Sequence, residues 1–147
     1  MDESEIQEKL KNGWIKSRLY IEIMAGEKQL AEDALKEHVR KLKDVKDSVV
    51  LNEKYEGIQE VQNPPKGIKQ AFSEVVQIDL LARNIDTLLY IVIFYAPSAV
   101  EVLEPHDLKI GIEQVQTVMN SVADLVHRFA ASGLGGVVIS TQQKPQA

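Results

Sequence analysis

The chain has 147 residues, 17 basic and 22 acidic side chains, three histidines and no cysteine, for a net charge of −5. This length fits one domain able to bury roughly 70% of its unfolded surface, and a 44% hydrophobic content is too high for a disordered chain. Lack of cysteine excludes disulfides, thiolate metal sites and a cysteine nucleophile, and the acidic balance opposes nucleic-acid binding, whose affinity comes from neutralising phosphates.

At the N-terminus, Met-Asp-Glu-Ser-Glu is acidic where a signal peptide would be positive. No apolar run further on approaches the ~18 residues of a membrane span, so a cytoplasmic protein is expected. Residues 2–12 predict a short, largely exposed helix, with capping-box spacing at Ser4 and Gln7 and apolar contacts from Ile6 and Leu10. Gly13 ends it, making 1–13 a helical extension.

From Trp14 the period becomes two. Ile15, Ser17, Leu19, Ile21 and Ile23 point one way, and Trp14, Lys16, Arg18, Tyr20, Glu22 and Met24 the other, which marks a half-buried strand. Glu27 to Asp44 predicts a helix striped by Ala31, Ala34 or Leu35, His38 and Leu42. Arg40, Lys41 and Lys43 in its last turn suit the helix dipole. Val45 to Val61 reads as extended, with Val49, Leu51 and Tyr55 alternating, and Gln62–Gly67 as a turn. Phe72, Glu74, Val76, Ile78 and Leu80 form a second strand stripe, with Glu74 expected near the strand's exposed end. The strands at 14–24 and 71–82, having the most regular alternation, are expected to be central.

Leu88–Ala96 is apolar throughout and admits either strand or helix. Asn84 or Asp86 as N-cap, Pro97 as stop and the length of a crossover favour helix, followed by a strand over 98–103. Leu108, Ile112, Val115, Met119, Val122, Val126 and Phe129 then recur at alternating four- and three-residue steps. They predict a long final helix, capped by Glu104 with Pro105 in its first turn, and ending at Ser132-Gly133. Over 107–132 it would run roughly 39 Å at 1.5 Å per residue, longer than a small sheet needs. Gly136–Thr141 could add an edge strand within a tail over 133–147. Strand, helix, strand, strand, helix, strand is the ferredoxin-like split β-α-β order, an α+β sandwich with an antiparallel four-stranded sheet, here over 14–132 with the long helix added.

Residues 84–129 resemble one end of a bacterial regulator module, on Pro97 and the Val-Glu-Val-Leu-Glu-Pro run from Val100 to Pro105. That module is the ferredoxin-like C-terminal extension of WYL-domain transcription regulators, in which a helix leads through a proline into such a strand and then a final helix. The resemblance implies the same fold and a ligand-responsive or oligomerising role. No helix-turn-helix and no WYL domain precede the matching stretch in this sequence, so it implies no DNA binding.

His38, His106 and His127 are dispersed, without the local spacing that zinc sites show, so no metal is expected. Gly133, Gly135 and Gly136 follow a helix, whereas a phosphate cradle precedes one, and no cofactor is expected. Ser73, Val75, Gln77 and Asp79 offer no base-stacking aromatics, which excludes an RNA-recognition sheet. Glu101, Glu104, His106 and Asp107 are the nearest approach to an acid–base cluster, and their plainer account is a strand edge followed by a helix cap. No catalytic constellation can be assembled.

Two readings remain. In the first, the domain self-associates, most simply as a dimer through Val115, Met119, Val122, Val126 and Phe129. It would bind a small regulatory ligand around Trp14, Arg18, Tyr20, Glu101, Glu104 and His106. In the second it is a small oligomeric hydrolase or transferase using the acids near His106.

Overall fold

Residues 1–133 are described here from a computed structural model. The elements are α1 (Glu3–Lys11), β1 (Ile15–Ala25), α2 (Lys28–Lys43), β2 (Ser48–Tyr55), β3 (Gln59–Glu60), β4 (Phe72–Ala82), α3 (Ile85–Tyr95), β5 (Ala99–Glu104) and α4 (Ile112–Ser132). The described residues divide into two units, one of Met1–Lys109 and one that begins at Ile110.

In the first unit the strands run in the order β2-β4-β1-β5, every pair antiparallel, with β3 adding a short pairing to β4. This is the ferredoxin-like arrangement expected from the element order, with the two most regularly alternating strands at its centre. Alternation sends Ile15, Leu19 and Ile21 of β1 and Val76, Ile78 and Leu80 of β4 to one face, where all six are buried. Leu35, Val39 and Leu42 of α2 and Leu88 and Ile91 of α3 complete that core. The ambiguous run is helix: Asn84 caps it, its Oδ1 accepting from the Thr87 backbone N–H (2.9 Å) and hydroxyl (3.0 Å).

Several expectations are corrected. The N-terminal capping box joins Asp2 and Glu5, not Ser4 and Gln7, so α1 begins two residues earlier than that spacing implied, and Ile6 is buried. Val39, not His38, carries the α2 stripe into the core, and His38 lies on the flank, edge-on to Tyr95. A bulge between Val50 and Asn52 breaks the alternation of β2, so Val50 and Tyr55 join the core while Val49 pairs with Leu81 on the opposite face. Glu74 is buried, 6% exposed, because β4 is paired out to its first residue and leaves no free end there. Its Oε1 accepts no hydrogen bond, and neither does the Ser17 hydroxyl.

The second unit holds α4. It starts at Ile112, after Gly111 as an extended N-cap, and not at 105–107. Glu104 is held in the ladder opposite Lys16 and cannot cap a helix. Its end is as expected, with Gly133 in the left-handed conformation (φ 72°). The strand expected at 136–141 lies outside the described residues.

Candidate functional site

The sheet face away from α2 and α3 gathers most of the residues singled out for ligand binding. Its geometry follows from register. Arg18 stands opposite Asp79 on one side and Glu101 on the other, and Asp79 in turn faces Asn52, so a polar row crosses all four strands. One step along, Lys16 faces Glu104, and their charged ends lie 3.6 Å apart. Tyr20 lies between Gln77 and Ala99, and its carbonyl accepts from both the N–H (2.7 Å) and hydroxyl (3.1 Å) of Ser98.

Arg18 is the centre of this row and is already engaged. Its Nε and Nη2 donate to the two carboxylate oxygens of Asp79 at 2.7 and 3.0 Å, a fork-on-fork pair. These hydrogen bonds, and then the charge of Asp79, hold the guanidinium even more firmly protonated than usual. An incoming anion therefore has to compete with a bidentate carboxylate.

The remaining candidates are not drawn into the row. Trp14 precedes β1, and the Lys9 ammonium sits 4.0 Å from the centre of its ring, which ties the indole to α1. His106 lies two residues past the end of β5 and is exposed, as is Asp107. Among the described residues no group of three or more His, Asp or Glu side chains could hold a metal ion.

Asp79, the partner that decides what Arg18 does, was not recognisable as such. Both residues alternate outward in sequence, but only the β1–β4 register makes them neighbours. A cleft of about 630 Å³ lies elsewhere, between the end of α2 and α3, lined by Lys41, Asp44, Lys46, Asp86, Tyr90 and Tyr95 among others. A partial signal for it was present: Asp86 and Tyr90 are four residues apart and so share one face of α3.

The expected interface residues Val115, Met119, Val122, Val126 and Phe129 all fall on α4. With Ile112 they form one stripe. Gln116–Asn120 and Asp124–Arg128 side-chain pairs lie off it.

The model of the MJ0538 family matches residues 16–145. The chain belongs to the MJ0538 family. The match takes in β1 from Lys16 onward, with its polar row, and the whole of α4. No curated protein and no solved structure matches this MJ0538-family chain. Among the described residues no helix is long and apolar enough to cross a membrane.

Proposed function

We propose that this MJ0538-family chain is a self-associating module that acts as a homodimer and responds to a small ligand. The observation that carries the reading is the stripe on α4. Ile112, Val115, Met119, Val122, Val126 and Phe129 alternate three- and four-residue steps over a 21-residue helix, which is the a/d repeat of a coiled-coil seam. Val118 and Leu125 widen it on one flank, and Ala123 and Ala130 keep the other low enough for close helix approach. Such a helix is about 31 Å long and cannot bury a continuous apolar stripe against itself. A second copy offers an identical stripe, and a two-fold interface is the commonest solution for soluble oligomers. The resemblance of residues 84–129 to the extension of WYL-domain regulators points the same way.

Light scattering on the full chain tests this. The expected mass is that of a dimer, falling to a monomer when Val122→Glu and Phe129→Glu are combined, with the β-sheet circular dichroism retained. A wild-type chain that stays monomeric at high micromolar concentration overturns the reading.

A further inference from the structure

The cleft between α2 and α3 has features that select for a particular kind of ligand. Its volume, about 630 Å³, lies within the range of small-molecule sites. One wall is the last turn of α2, whose carbonyl end carries partial negative charge. Tyr95 is fixed against that wall: its hydroxyl donates to the Lys41 carbonyl (3.1 Å), and its own carbonyl accepts from His38 Nε2–H (2.9 Å). The other wall is α3, where Tyr90 is 47% exposed and its ring lies tilted against that of Phe94, their centres 4.6 Å apart.

The decisive residue is Asp86, which lines the cleft from the first turn of α3. It is half-buried, and its Oδ1, shut off from solvent, accepts no hydrogen bond. Among the described residues no lysine, arginine or histidine nitrogen comes within ion-pair distance of the Asp86 carboxylate, although Lys41 and Lys46 both line the cleft. Both lysines are exposed at the rim. The other cleft acid, Asp44, is already paired with Arg40 at 3.3 Å. What the cleft holds in place is therefore acceptor in character: a carboxylate with no cationic partner, a helix C-terminus and two tyrosine rings. Each of these favours a cation, and the tyrosine faces favour one on an apolar stem.

We infer that the cleft is a binding site for a small organic cation, a primary ammonium or guanidinium on a short apolar body. Asp86 is the counter-ion, and Tyr90 and Tyr95 flank the stem. The inference concerns Met1–Lys109 alone and does not depend on self-association.

The test is an amide NMR titration of the full chain with two probes of one size and opposite charge, phenethylamine and phenylacetate. Phenethylamine is expected to shift the Asp86, Thr87, Tyr90 and Tyr95 amides saturably, and phenylacetate to leave them unmoved at equal concentration. Asp86→Asn is expected to weaken phenethylamine binding at least tenfold with amide dispersion preserved. Should that variant fail to fold, Tyr90→Ala, which removes an exposed ring, is expected to weaken it several-fold. Tighter binding of phenylacetate would show that the rim lysines govern the cleft and overturns the assignment. So does the absence of saturable shifts, or affinity unchanged in either folded variant.

Discussion

Helices α2 and α3 pack on the same face of one sheet and touch each other, but they are built from contrasting material. Over 16 residues α2 keeps Ala31, Leu35, Val39 and Leu42 for the core and turns charge outward, with Arg40 bridging Glu37 and Asp44. Over 11 residues α3 has one charged side chain, Asp86; it buries Leu88 and Ile91 yet leaves Tyr90 and Phe94 47% and 58% exposed. A helix that is apolar all round is normally enclosed. The contrast separates two uses of apolar residues: α2 leaves only Leu30, in its first turn, exposed among its large apolar residues, whereas α3 has a larger surplus for its length, and Tyr90 of that surplus supplies a wall of the cleft.

The sharpest way to break the comparison is a proline in α3. Ile91→Pro removes a mid-helix hydrogen bond and a fully buried side chain, and should cost about 3 kcal/mol or more, enough to move the urea midpoint drastically. Next, Leu35→Ala in α2 should lower stability by about 2–5 kcal/mol, while Phe94→Ala on the outer face of α3 should stay within about 0.5 kcal/mol. Equal losses in equilibrium unfolding would show that the surplus on α3 belongs to the core after all.

Capping gives a smaller and opposite pair. Asn84→Ala should cost about 1 kcal/mol because it removes the α3 cap, whereas Glu27→Ser at the uncapped start of α2 should raise stability by several tenths, about 0.5 kcal/mol.

The smallest effect is alkaline. Burial raises the phenols of Tyr55 and Tyr95 above their ordinary value of 10.0, with Glu53 adding to the effect at Tyr55. A raised phenol stays neutral in the fold after the unfolded chain has begun to ionise. Its contribution is thus complete below pH 10 and is lost as pH climbs through the folded value. Tyrosinate absorbance should show late-titrating groups, and Tyr95→Phe should remove one of them and flatten the loss of stability above that pH.

Much of this architecture was legible in the sequence because it rests on period. Ile15 to Ile23 and Phe72 to Leu80 alternate without interruption, and Asn84 and Pro97 bracket α3, so strands, crossover and topology followed. What was hidden depends on partners. The bulge after Val50 moves side chains between faces without a local mark, and Glu104 resembles a helix cap until β1 claims it. That Val39 faces the core where His38 was expected turns on one step of helix rotation, which only the packing of α2 decides. The candidate site was legible as a face but not as a chemistry. Arg18 and Tyr20 were readable as sharing one face of their strand, whereas the engagement of Arg18 by Asp79 needs the register of strands that lie far apart in sequence. Asp86 gave even less warning, since an acid in a first turn looks like ordinary dipole complementarity.

The strand order also has a consequence for how the protein is made. β1 leaves the ribosome before the other strands of its sheet, and both its neighbours, β4 and β5, come later in the chain. Ile15 pairs with Ala82, so at ordinary synthesis rates the strand waits roughly 3 to 13 s for the far end of its first partner. During that interval Ile15, Leu19 and Ile21 have α2 to shelter them but no strand to pair with, because β2 is not a neighbour of β1 in the finished sheet. Early formation of α2, whose contacts are close in sequence, would then guard the nascent chain against aggregation as well as pack the finished core.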